Sequence, residues 1–345
     1  MTILARYIAS VVAGTVFGLA LSGPAQAALT LTPTGVTDGF SLSTFYSGDP
    51  SNYYGLLGVT TTAGGEVIAT SLARNQLSLL SDVDGQTPAS ILLSASVPAT
   101  AFTVATAGGN SYFATFNGGQ YYRVNTTTLA VTPLVLTTPV TPYLGMWADP
   151  VNGTLISSSH SGLVEINPLT GAVHVITATV GFDGVTVSPD GTTAYGELGG
   201  NILAYNIAAG TLLNTYSGNG HSPDGTGAIS GGAFNGDLVV NNNDGTVGLI
   251  NTGTGTETII ATGGARGDFV GPDLSNGTLF LASADQIERL SLSGATIGGG
   301  GGGGGEGGGG TSVPEPGTLG LLGLGLAAMG LVRRRTRGHR SIAFA

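Results

Sequence analysis

The chain has 345 residues, of which 61 are glycine, 41% are hydrophobic and only 9% are charged, with a formal net charge of −10. It contains no cysteine, which excludes a disulfide framework and any thiolate metal site. Residues 28–316 hold all 20 acidic groups against four arginines (Arg74, Arg123, Arg266, Arg289), a net of −16, and such a surface repels nucleic acid and anionic membranes because phosphate contacts need clustered cations.

Residues 1–27 read as a secretory signal helix. Arg6 supplies the positive start, residues 8–21 the apolar stretch, and Ala25, Gln26 and Ala27 the small-x-small site at which signal peptidase cuts, leaving Ala28 as the first mature residue. A cut there implies an exported protein.

The middle of the chain repeats. A turn glycine followed by a short strand recurs at Gly65, Gly109, Gly153, Gly191, Gly236 and Gly277, at steps of 44, 44, 38, 45 and 41 residues. A second strand ends in a polar residue at Ser81, Asn125, Asn167, Asn206, Asn251 and Ser291, at steps of 44, 42, 39, 45 and 40. Two independent markers with one period, separated by Asn-Gly, Asp-Gly and Gly-Gly turns, predict four-stranded antiparallel units arranged as an all-β propeller. Six units fit between about residues 50 and 297, within a propeller domain of residues 28–297, and the sixth supplies only three strands before the glycine tract begins. Because an open ring leaves an unpaired edge, an N-terminal strand over residues 40–45 is expected to complete the last blade. Seven blades is the alternative, with residues 29–54 forming most of one more.

Residues 298–312 are a glycine-rich linker, too poor in side chains to pack and suited to a flexible tether. Val313, Pro314, Glu315 and Pro316 follow, then an apolar run over 318–332, then Arg333, Arg334 and Arg335. A helix of about 15 residues spans about 22 Å, short of a hydrocarbon core of about 30 Å, so the expectation is a short helix with transient membrane insertion. The arginine cluster stays cytoplasmic and the Pro-Glu-Pro motif outside. Residues 313–337 thus form one unit and 338–345 a tail.

This order of motif, apolar run and arginine cluster resembles the PEP-CTERM sorting signal of Gram-negative bacteria. The resemblance implies processing by an exosortase-type membrane protease and delivery to the cell surface or extracellular matrix. It gives an address and no activity. The turn Ser188, Pro189, Asp190, Gly191 resembles blades of YVTN and surface-layer propellers, which supports the fold alone.

No nucleophile elbow, phosphate loop or paired metal-ligand histidines occur. His174 falls in a strand, His160 and His221 in turns, and His339 in the tail. Resemblance to propeller lyases makes His160 or His221 a candidate base, with solvated turn histidines as the default. Asp183, Asp224 and Asp268 recur just before the first strand of units four, five and six, where propeller loops converge. They are speculative ligands for calcium or magnesium, against the simpler reading as entry-turn residues, and no cofactor is predicted. Residues 241–245 read as a hairpin turn rather than half of a calcium loop. Tyr53, Tyr54, Tyr121, Tyr122, Tyr143 and Trp147 are candidates for sugar stacking, with packing between blades favoured. The expectation is a non-enzymatic binding or adhesion module, associated with exopolysaccharide or surface glycan, with a propeller hydrolase or lyase using an axial divalent metal as the alternative.

Overall fold

The computed structural model describes residues 28–49, 51–98, 100–116 and 118–299. The expected secretion signal, most of the glycine linker and the whole sorting segment, with the apolar helix expected in it, lie outside the described residues.

Six four-stranded blades follow one another along the chain, each an antiparallel meander. Blade 1 is built from Leu56–Thr61, Val67–Ser71, Gln76–Leu80 and Leu93–Ser96, and blade 2 from Ala101–Ala107, Asn110–Thr115, Tyr121–Val124 and Val131–Pro133. Pro142–Ala148, Leu155–Ser159, Gly162–Ile166 and Val173–Thr177 make blade 3, and Val185–Val187, Thr193–Leu198, Asn201–Asn206 and Leu212–Ser217 make blade 4. Blade 5 comprises Pro223–Ser230, Leu238–Asn242, Val247–Ile250 and Glu257–Thr262. Blade 6 takes Val270–Asp273, Thr278–Ser283 and Gln286–Leu292 from the end of the chain, and its outermost strand, Phe40–Ser47, from the beginning. Six blades closed by an N-terminal strand is therefore the architecture.

Burial grades from the axis outward. The first strands of blades 1 and 2 are buried throughout, while the outermost strand of blade 4 exposes five of its six residues. Inner strands accordingly read as continuous runs of small and apolar residues, as expected of strands covered on both faces. The six first strands touch in a closed ring, blade 6 against blade 1. Glycine makes that ring possible. A Cβ on Gly271 would lie 1.6 Å from the Val59 carbonyl oxygen of blade 1, and one on Gly58 would lie 2.5 Å from the Phe102 carbonyl oxygen of blade 2. Gly145 and Gly225 approach the next blade in the same way, at residues 183–185 and 268–270.

The repeat markers have physical causes. All six turn glycines have φ between 65° and 90°, a region that L side chains rarely enter. The polar residues at the ends of the third strands of blades 2 to 5 cap the turns that follow. Asn125 accepts from the N–H groups of Thr127 and Thr128, Asn167 from Leu169 and Thr170, Asn206 from Ala209 and Asn251 from Thr254.

The described residues that flank the propeller on either side pair with blade 5. Thr30–Leu31 extends the outer edge of blade 5, and Thr296–Ile297 pairs with Ile229 and Ser230 on its innermost strand.

Candidate functional site: the axial mouth

The connections that enter the first strands of blades 4, 5 and 6 meet over one end of the axis, and each brings an aspartate. Asp183 lies two residues before Val185–Val187, Asp224 is the second residue of Pro223–Ser230, and Asp268 lies two residues before Val270–Asp273. The close glycine contacts hold these entries together, since the Cα of Gly184 abuts the Asp224 carbonyl and that of Gly225 abuts the Asp268 carbonyl.

Arg266 sits among the three carboxyls. Its Nη2 is 2.7 Å from Oδ2 of Asp224, and its Nη1 is 3.7 Å from Oδ2 of Asp268. The same Nη1 donates to the Tyr53 phenol oxygen at 2.5 Å, and the guanidinium lies 5.4 Å from the centre of that ring. Asp183 lies near enough to Asp224 for its charge to help raise the Asp224 carboxyl. Beside this pair is Glu197, on the second strand of blade 4 and 1% exposed. Its Oε1 accepts from Thr226 Oγ1 at 2.6 Å, while Oε2 is buried without a partner against the Cα of Gly184.

Desolvation dominates the electrostatics. Burial, then the charges of Asp183 and Asp268, raise the Asp224 carboxyl far above the usual carboxylate range, outweighing the attraction of Arg266. Burial likewise raises Asp183. It pushes Asp268 up to about 6 despite Arg266, and Glu197 up to about 7 despite the Thr226 hydroxyl. The cluster consequently retains protons at neutral pH.

The rest of the mouth is apolar. Leu57, Phe102 and Phe269 form a buried cluster, with Leu144 packed against it, and the rings of Phe102 and Phe269 meet edge to face at 4.6 Å. On the acidic side Tyr53 and Tyr54 are 40% and 45% exposed, with ring centres 4.9 Å apart at 87°.

The three predicted aspartates therefore do converge, but on a guanidinium. Among the described residues no group of three or more His, Cys, Asp or Glu side chains is arranged to hold a metal ion. His160 and His221 have their own partners. His160 stands edge-on to Tyr143 at 5.3 Å, and Nδ1 of His221 is 2.5 Å from Oδ2 of Asp244. His174 lies 3.4 Å from Glu165 on the outer strands of blade 3. Tyr121, Tyr122 and Trp147 are buried in the blade packing, so only Tyr53 and Tyr54 remain as open platforms from the original set, with Tyr143 half-buried. Residues 241–245 form the hairpin turn between the second and third strands of blade 5, where the Gly245 N–H donates to the Asn242 carbonyl.

Sequence reasoning did not single out Glu197 or Arg266. Scarcity was the available signal: Arg266 is one of four arginines in residues 28–316, and Glu197 interrupts an otherwise uncharged strand. Ala25, Ala27, the Pro-Glu-Pro motif and Arg333 to Arg335 lie outside the described residues.

Residues 312–335 match the PEP-CTERM protein-sorting motif. The chain is thus an exported protein sorted to the cell surface, and the motif implies processing by exosortase, a membrane protease. A comparison with curated protein sequences finds no match. Among solved structures, a gluconolactonase from Xanthomonas campestris superposes with a TM-score of 0.58 at 15% identity, over 78% of this chain and 97% of its own. An auxiliary nutrient binding protein from Bacteroides thetaiotaomicron gives 0.55 at 12% identity, over 73% and 76%. A catalytically inactive virginiamycin B lyase from Staphylococcus aureus, solved with quinupristin, gives 0.50 at 16% identity, over 73% and 99%. These likenesses establish the propeller fold and nothing finer.

Proposed function

We propose that this surface-sorted propeller is a non-enzymatic binding module that engages exopolysaccharide or surface glycan through its axial mouth. The carrying observation is the exposed Tyr53–Tyr54 pair standing beside the hydrogen-bonding cluster of Asp183, Asp224, Asp268 and Arg266. Saccharides need flat rings to cover their C–H faces and fixed donors and acceptors to read their hydroxyls, and both are present within one mouth. Surface display and a glycine-rich linker suit a module that holds a matrix polymer away from the cell.

Polysaccharide binding by the full-length chain, held in detergent, tests the reading. Binding that Tyr53→Ala weakens about tenfold, close to the 1.4 kcal/mol of one lost stacking contact, supports it. Binding indifferent to Tyr53→Ala and Tyr54→Ala together would move the site elsewhere and sink it.

One observation favours a second reading as a hydrolase or lyase: Glu197 and the Asp183–Asp224 pair hold protons near neutrality, the property of a general acid. Turnover of a lactone or glycoside panel that Asp224→Asn abolishes would establish it over the binding reading. With an axial divalent metal, that second reading would need Arg266 to move from its place between Asp224 and Asp268.

A further inference from the structure

The axial cluster has an excess of acceptors that its own donors do not fill. Asp183, Asp224 and Asp268, from three consecutive blades, surround the single guanidinium of Arg266, and Glu197 adds a fourth carboxyl next to Asp183. Arg266 already spends its reach on Asp224, Asp268 and Tyr53, and Thr226 spends its hydroxyl on one oxygen of Glu197. The other Glu197 oxygen is buried with no partner, beside Gly184 and within the field of Asp183. Asp183 is half-buried and opens the cluster to solvent. Even counting the protons that burial keeps on the cluster, its carboxyl oxygens outnumber the donors that reach them.

We propose that the mouth selects a protonated primary amine carried on a sugar, so that its polymer class is an amino-sugar polysaccharide with free amines. This rests on the reading of the mouth as a glycan site. An ammonium supplies three N–H donors and no acceptor, whereas a hydroxyl brings an acceptor with its donor and an acidic sugar adds repulsion. The ammonium enters beside Asp183 and Asp224 and displaces the proton that burial keeps on Asp224, and that proton leaves to solvent. The electron-rich faces of Tyr53 and Tyr54 stand at the same rim, where they attract a cation as well as a C–H face. The net charge of −16 on residues 28–316 adds a long-range bias toward cationic polymers.

The test compares glucosamine tetramers with N-acetylglucosamine tetramers of the same length, titrated at pH 6 into the full-length protein in detergent. The free-amine tetramer should bind at least tenfold tighter, with release of a proton detected as a dependence of the heat on buffer ionisation. Asp183→Asn, at a half-exposed position that tolerates an isosteric change, should reduce the preference below threefold and abolish the proton release. Glu197→Gln gives a second reading of the same cluster. A preference that survives Asp183→Asn but disappears in 0.5 M salt would reduce the effect to general surface charge and overturn the proposal. Equal affinity for both tetramers, still sensitive to Tyr53→Ala, would overturn it while leaving the glycan reading intact. Absence of binding by either tetramer, together with failure of the polysaccharide panel, would remove both.

Discussion

Asp285, in the last hairpin of blade 6, accepts a hydrogen bond at 2.8 Å from the backbone N–H of Leu56, the first residue of blade 1. The fully buried carboxylate also takes the Asp49 N–H at 3.0 Å and Nη2 of Arg74 at 2.6 Å, and Gly48 and Gly55 leave it room that any Cβ would fill. One side chain thus fastens the end of the ring to its beginning. Asp285→Ala strands the buried Leu56 N–H, the part-exposed Asp49 N–H and one guanidinium, and should cost about 3 kcal/mol, read as a lower urea midpoint. A change within about 0.5 kcal/mol, the scatter of ordinary surface substitutions, would show that closure does not depend on this fastening.

Gly271→Ala should be as damaging for a different reason. The added methyl would meet the Val59 carbonyl at 1.6 Å, and two backbones have to part to admit it. A loss of about 3 kcal/mol is expected from overpacking, with cooperative unfolding otherwise preserved. Gly65→Ala makes a useful comparison: its Cβ would meet nothing within 4 Å, so its cost arises only from the positive φ of 90°. That variant should lose about 1 kcal/mol, measured in the same denaturant series.

Alkali should weaken the fold. Glu197, Asp268 and the Asp183–Asp224 pair all titrate above the ordinary carboxyl range near 4, so between those limits the folded state holds protons that the unfolded chain has released. Stability therefore falls as pH rises from about 4, through about 6 for Asp268 and about 7 for Glu197, and continues to fall above neutrality for the pair. Glu197→Gln, which stays neutral at every pH, should flatten the slope between pH 5 and pH 8 in thermal melts. A steeper slope in the variant would contradict the assignment.

Processing at the C-terminus can be read by mass. The mature protein from its native host should lack Arg333, Arg334 and Arg335, and replacement of Pro314, Glu315 and Pro316 by alanine should retain them in the membrane fraction. Surface material that still carries Arg333 would be the contrary result.

The blade count was legible in the sequence because the two period markers are turn devices. Gly191 must have positive φ and Asn167 must cap a turn, so both constrain residue type wherever a blade repeats. The closing strand was legible for a topological reason, since the sixth unit lacked an edge. Asp183, Asp224 and Asp268 could be picked out by their place before inner strands. Their assembly around Arg266 could not, because Arg266 lies in a loop between blades, where no periodicity fixes its direction. The ring glycines were hidden too: Gly58, Gly145 and Gly225 look like breaks in strands until the neighbouring backbone is seen beside them. Glu197 reads as a solvated strand residue because its burial comes from the adjacent blade.

Pairing of Phe40–Ser47 with Gln286–Leu292 sets a timetable for biogenesis. Ser41 and Ser291 touch across 250 residues of chain, and a polypeptide leaving its translocon from the N-terminus delivers the first of them long before the second. Blade 6 therefore has to wait, with the edge of Phe40–Ser47 unpaired, until nearly all of the domain has crossed. Only 19 residues lie between Leu292 and the start of the sorting motif at residue 312. In chain order the last strand of blade 6 comes shortly before the sorting motif, so a chain cut before that blade zips would be set loose with an adhesive edge still open.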